Sequence, residues 1–311
     1  MLLLSMAFAG SSASPKIING DQESGYPSVV SLGVVNDQGE GFSGCTGNLI
    51  TPRVVLTAAH CGEGIDLDLI LSFGMAIFGP SLAEHTAALG FTDLIVHPDY
   101  EPLNSPFTVG RYDISVFVLD EDAPEEASPL VRTLTEDTVV GADIVSVGFG
   151  LTERDESGIK HSAAMTADRL SDMHVESDNA TNTDESNICS GDSGGPQFHI
   201  TETRAVQWAV HSFGDQNCDT YSGSTRVDVV YDWVLDQVEE VHGTRDLCEI
   251  NAWYDDGICD EALCDNVDPD CEEELDSGDP VEEPKGRGCS HAPGAVACAG
   301  LLLLGRGRTQ A

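Results

Sequence analysis

From residue 17 to about residue 225 the chain is a succession of short apolar runs, each closed by glycine, proline, asparagine or aspartate. Residues 27–35, 48–56, 113–119, 142–149 and 205–212 are the clearest, with valine and isoleucine common among them. Runs of this length with turn signals between them predict an all-β sandwich or barrel. The period then changes. Val230, Trp233, Val234, Val238 and Val241 fall at i, i+3, i+4, i+8 and i+11 within residues 227–242. That spacing is one face of an amphipathic helix, whose role is packing. Past Gly243 the composition shifts again, to cysteine and acid.

The 311 residues are 41% hydrophobic, enough for a substantial core. Acids number 54 against 14 bases, a net charge of -40. Nucleic acid is thereby excluded as a partner, because its binding rewards Lys and Arg. The acids are spread along the chain and read as a solvated surface rather than an acidic tail. Ten cysteines point to disulfides and an oxidising compartment. The N-terminus agrees: residues 1–9 are apolar, and Ala7-Phe8-Ala9 has the small-x-small form of a cleavage site. Residues 1–13 read as a secretory signal peptide too short to span a bilayer. No Lys or Arg precedes the apolar run, so the reading expects a start of translation upstream of Met1.

The chemistry centres on Gly191-Asp192-Ser193-Gly194-Gly195-Pro196. Glycines let a turn adopt backbone conformations closed to other residues and let a substrate come close. A serine on such a turn can present its hydroxyl while backbone N–H groups converge on one spot, the layout needed to attack a carbonyl and hold the oxyanion. A base should be a histidine. His60 ends the strand-like run Leu56-Thr57-Ala58-Ala59-His60-Cys61, and a Cys45–Cys61 bridge would fix that strand, contributing about 3 kcal/mol. A carboxylate must then hold the imidazole. Asp113 opens the apolar run to Leu119 that would carry it inward.

TAAHC (57–61), YDISVFVL (112–119) and GDSGGP (191–196), in that order, resemble the chymotrypsin-type, or trypsin-like, serine proteases. Lys16 followed by Ile17-Ile18-Asn19-Gly20 is similar to the family's activation site; Val96 to Tyr100 and Ser212-Phe213-Gly214 are similar to two further family segments. The resemblance covers about residues 16–242. It implies two six-stranded antiparallel β-barrels with a C-terminal α-helix, a protease domain over 17–243, and a short propeptide over 14–16. It implies a triad of Ser193, His60 and Asp113, an oxyanion hole from the N–H groups of Gly191 and Ser193, and a Cys189–Cys218 disulfide. Cleavage after Lys16 would free Ile17 to pair with Asp192. No cofactor is implied for catalysis, and the partners would be polypeptide substrates and an activating protease, with the enzyme a monomer. Asn187, six residues before the serine, falls at the base of the primary pocket, where trypsin-like enzymes carry aspartate. A neutral residue there argues against strict preference for Arg or Lys, and hence against self-activation. Ser212, Phe213, Gly214 and Gly223 would line the pocket.

Residues 244–275 form a small cysteine-rich module containing Cys248, Cys259, Cys264 and Cys271. It resembles disulfide-plus-calcium modules such as Notch-type repeats, with Asp256, Asp260, Asp265, Asp268 and Asp270 as candidate Ca²⁺ ligands. A disulfide-stapled acidic spacer without metal fits the same residues. Residues 276–288 read as an acidic flexible linker. The tail over 289–311 follows Gly288 with Cys289-Ser290, a mostly apolar stretch ending in four leucines, then Arg306 and Arg308. This layout resembles bacterial C-terminal sorting tags of the myxobacterial type, implying a sorting enzyme and a protein secreted or anchored at the cell surface; a plain disordered tail is the other reading. A second functional class stays open: a protease-fold module without catalysis, used for binding or adhesion.

Overall fold

The structure is a computed structural model that describes residues 20–102, 110–152, 154, 156–178, 186–260 and 262–271. Lys16, Ile17, the signal peptide over 1–13, the propeptide over 14–16, the linker over 276–288 and the tail over 289–311 lie outside the described residues.

The first half of the chain runs β1 (Asp21–Gln22), β2 (Val29–Val35), β3 (Gly41–Thr51), β4 (Val54–Thr57), a 3₁₀ turn (Ala59–Cys61), α1 (Leu67–Phe73), β5 (Met75–Phe78), β6 (Ala87–Leu89), β7 (Phe91–Val96) and β8 (Ser115–Leu119). The second half runs α2 (Glu136–Val139), β9 (Ala142–Gly148), β10 (His161–Ala167), β11 (Arg169–Leu170), β12 (His174–Asp178), β13 (Pro196–Ile200), β14 (Ala205–Gly214), β15 (Tyr221–Arg226), α3 (Tyr231–His242) and α4 (Leu247–Ile250). The strands form two curled antiparallel sheets, ordered β6-β5-β2-β3-β4-β8-β7 and β1-β10-β9-β13-β14-β15-β12-β11. Setting aside β1, β6 and β11, each three residues or shorter, six strands remain in each sheet.

Each sheet curls around its own apolar interior. Val30, Leu49, Phe78 and Phe117 fill the first; Ile144, Met165, Val175 and Trp208 fill the second. A third cluster joins them: Leu56 and Val116 from the first sheet meet Val210 of the second and Val234, Leu235 and Val238 of α3. The apolar stripe read in residues 227–242 is thus the face that seals the two halves together. The helix ends where Gly243 takes a left-handed conformation at φ 75°, the residue with no Cβ to oppose it.

The cysteine-rich segment shares that core. Asp246 caps α4 by accepting from the N–H groups of Cys248 and Glu249. Cys248, Trp253 and Cys264 are buried in the cluster that holds α3. Two disulfides staple the segment, Cys248–Cys264 and Cys259–Cys271. Among the described residues no helix is long and apolar enough to cross a membrane.

Candidate active site

His60 sits in the 3₁₀ turn directly after β4, and Asp113 two residues before β8. The two strands pair antiparallel, Thr57 opposite Ser115, so the pairing brings the histidine and the aspartate together. Ser115 Oγ donates to the Ala58 carbonyl at 3.0 Å and ties the strand ends. Asp113 Oδ2 lies 2.7 Å from His60 Nδ1, while its Oδ1 accepts from the His60 backbone N–H at 3.0 Å. Ser212 Oγ, from β14 of the other sheet, donates to Asp113 Oδ2 at 2.5 Å. The carboxylate therefore has partners from both halves of the molecule.

Burial works against charge on both groups, and their mutual bond outweighs it. Burial pulls His60 down, but the hydrogen bond and charge of Asp113, aided by the charge of Glu63, leave it above the ordinary imidazole value. Burial pushes Asp113 up, but His60 and the Ser212 hydroxyl leave it below the usual carboxylate range. The loop that delivers Asp113 is held by stacking. Tyr112 has a positive φ of 50°. Its ring lies 4.7 Å from His97 with 9° between planes, and His97 packs in turn on Trp233 of α3. Tyr112 opens the YDISVFVL run, but its left-handed backbone and its stacking on His97 leave no trace in sequence.

The serine turn is fixed by its backbone. Thr46 N–H donates to the Ser193 carbonyl at 2.8 Å, and the N–H groups of Asp192, Gly194 and Gly195 go to Cys189, His211 and Asp192 carbonyls. Among the described residues, the N–H groups of Gly191 and Ser193 are the two in this turn without such a partner. Gly194 has φ +83°, and a Cβ there would lie 1.9 Å from Thr57 Oγ1. Gly191, at φ +96°, likewise needs to be glycine. Ser193 and His60 line one cavity, with Gly191 beside them. Cys45 pairs with Cys61 beneath the histidine, and Cys189 with Cys218 beside the serine turn.

The family model described as Trypsin matches residues 17–234. The chain belongs to the trypsin family. Relatives include a CLIP domain-containing serine protease B10 of Anopheles gambiae, 29% identical over 68% of this chain and 66% of that protein. A Trypsin of Saccharopolyspora erythraea is 24% identical over 71% of this chain and 98% of its own length. A Chymotrypsin of Phaedon cochleariae is 28% identical over 70% and 81%. The chain thus spans just under two thirds of the mosquito protein.

In this trypsin-family chain a cavity of about 250 Å³ adjoins Ser193 on one side, lined by Ser190, Ser212, Phe213, Gly214 and Asp215 among others. Asn187 is fully buried behind it. Its Nδ2 donates to the Tyr221 carbonyl and its Oδ1 accepts from the Ile188 N–H. Gly223 stands under the Phe213 ring, whose Cζ would lie 2.2 Å from a Cβ at that position. The charged group on the cavity wall is Asp215. Burial opposes its charge, but N–H groups of Thr220, Tyr221 and Asn217 outweigh that and push it down to about 2.

Asp192 is fully buried, accepting from Gly150 N–H and Cys189 N–H at 2.8 Å each. Burial pushes its carboxyl up to about 7. Its expected partner Ile17 lies outside the described residues.

Among the described residues the five aspartates considered for calcium have protein partners. Asp260 and Asp256 pair with Arg204, Asp265 with Arg132. Asp268 accepts from the N–H groups of Asp260 and Asp270, and Asp270 from that of Gly257. Among the described residues the one group close enough to share an ion is Cys45, His60 and Cys61, of which the cysteines are disulfide-bonded.

Proposed function

We propose that this chain is a secreted serine endopeptidase that cleaves polypeptides through an acyl-enzyme. The observation that carries the reading is the buried Asp113 carboxylate held by His60 and Ser212, with His60 and Ser193 lining one cavity. His60, neutral, takes the proton of Ser193 Oγ as that oxygen attacks the scissile carbonyl. Asp113 fixes the tautomer with the proton on Nδ1 and stabilises the imidazolium that forms. The Gly191 and Ser193 N–H groups receive the oxyanion, each such donor being worth about 3–4 kcal/mol in the transition state. His60 returns the proton to the leaving amine, and water repeats the sequence to release the acid. The four disulfides among the described residues and the apolar leader support export to an oxidising compartment.

Activation follows from Asp192. Among the described residues the buried Asp192 carboxyl has only N–H partners, and burial leaves it poorly ionised near neutrality; an ammonium freed at Ile17 by cleavage after Lys16 would ionise it and set the turn. The neutral Asn187 offers no charge to Arg or Lys, whereas Asp215 on the wall of the cavity beside Ser193 does; failure of purified precursor to cleave itself would assign the first cut to another protease. The tail over 289–311 would be removed on anchoring at the surface, and a mature mass ending near Gly288 or Cys289 tests that. The central test is labelling with a fluorophosphonate: the processed chain reacts at Ser193, and Ser193→Ala and the intact Lys16→Ala precursor do not. Absence of labelling in the processed chain would instead favour a non-catalytic binding module.

A further inference from the structure

Ser193 separates two cavities of different character. The acyl-side cavity is polar and small; the other is about 660 Å³ and opens at His60, Gly191 and Ser193. Its far wall is Leu32, Phe42, Ile65, Leu69 and Phe73, the last three from α1 and the loop before it. In a chain with 54 acids, no Asp, Glu, Lys or Arg lines this cavity. Four of these wall residues are also open to solvent: Phe42 is 66% exposed, Phe73 64%, Leu69 55% and Ile65 53%. A contiguous exposed apolar patch of this kind marks a surface that another apolar group covers. From α1, Ile70 and Leu71 turn to the core, while the exposed Leu69 and Phe73 line the cleft.

We infer that this cavity receives the leaving side of the substrate and selects polypeptides with a bulky apolar residue within two positions after the scissile bond. The inference rests on the protease reading above. The direction follows from proton transfer: His60 must reach the leaving amine, so the chain beyond the scissile bond departs past His60 and the Cys45–Cys61 bridge. The strand Ser212-Phe213-Gly214 lines the opposite cavity and is left to the acyl side. Continuity with the catalytic cleft names the occupant, because whatever polypeptide is cut must lay its departing segment against this wall. A leucine or phenylalanine entering there covers Leu69 and Phe73 and is itself covered; a serine or aspartate gains nothing and loses water.

The test digests a denatured protein mixture with the processed enzyme and reads by mass spectrometry the first two residues after each cut. Leu, Ile, Phe and Met should be enriched about tenfold over Ser and Asp, the scale on which an apolar pocket discriminates. Leu69→Ser and Phe73→Ser, both at exposed positions, should flatten that preference while the rate of fluorophosphonate labelling at Ser193 stays unchanged. A flat profile in the unaltered enzyme, with labelling intact, overturns the inference and leaves the protease reading standing. So does a preference that survives both substitutions. If the unaltered enzyme neither labels nor cuts, both readings fall together.

Discussion

The serine turn and the cysteine-rich segment are both acidic loops drawn tight by disulfides, yet they bury their carboxylates in different ways. Asp192 lies fully buried with two backbone N–H groups for company. Asp260, 3% exposed, accepts from Nε and Nη2 of Arg204, and Trp253 lies 4.9 Å from that guanidinium. Asp113 stands between these cases, paired with the titratable imidazole of His60. On the proposed function, a full cation partner makes a clasp, a titratable partner makes a catalyst, and an ammonium freed at Ile17 makes a switch. The residue type is the same; what faces it decides the role.

The largest effect should come from changing the titratable pair. Asp113→Asn keeps the shape but presents a donor to His60 and favours the wrong tautomer. The kcat should fall by about four orders of magnitude, a figure set by the template triad of this protease family rather than derived from this chain. Folding should survive. Steady-state rates on any cleaved peptide check it, and a loss below tenfold would mean that Asp113 is not the orienting group.

Next in size is the clasp. Arg204→Met leaves Asp260 buried and unpaired, which costs about 3–5 kcal/mol. Urea unfolding with the disulfides intact should register that loss. Labelling of Ser193 in the folded fraction should persist, since the clasp touches none of the catalytic groups.

The switch is a matter of pH. The carboxyl of Asp192 is at about 7 in this structure, above its ordinary 3.8. A raised acid binds its proton more tightly folded than unfolded. Its contribution is therefore present at low pH and is lost as pH rises through the folded value. Between pH 5 and pH 8 the uncleaved precursor should lose about 2–3 kcal/mol from this one group. The processed enzyme, with an ammonium at Ile17, should lose much less. Melting both forms at the two pH values checks the contrast, and equal slopes would remove Asp192 from activation.

The β architecture and the sealing helix were legible because both rest on local periodicity. Val230, Trp233, Val234 and Val238 announce a buried face within one helix length. The serine turn was legible for a related reason: a backbone that needs glycine at Gly191 and Gly194 writes that need into consecutive letters. The clasp was not, since Arg204 meets Asp260 across 56 residues and Arg132 meets Asp265 across 133. Nothing in the run of five aspartates among cysteines tells that three of them meet arginines from far along the chain. Helix α1 was missed as well. Its seven residues are too few to show a period, and its exposed Leu67, Leu69 and Phe73 mimic a strand.

Calcium gives the smallest and most discriminating effect. The ion takes six to eight oxygens, and here the aspartate oxygens already serve guanidinium and backbone N–H groups. Millimolar calcium should leave the melting temperature of the unaltered chain where it is. Arg204→Met changes that condition. Asp256 Oδ2 and Asp260 Oδ2 both reach the same Nη2 of Arg204, at 2.5 Å each, so they converge on the place the guanidinium vacates. A divalent cation could then restore part of the lost stability. The variant should therefore respond to calcium where the parent does not, by less than about 1 kcal/mol given only two carboxylates. A parent chain that is itself stabilised by calcium would show that arginine does not saturate these acids, and the contrast between clasp and switch would have to be redrawn.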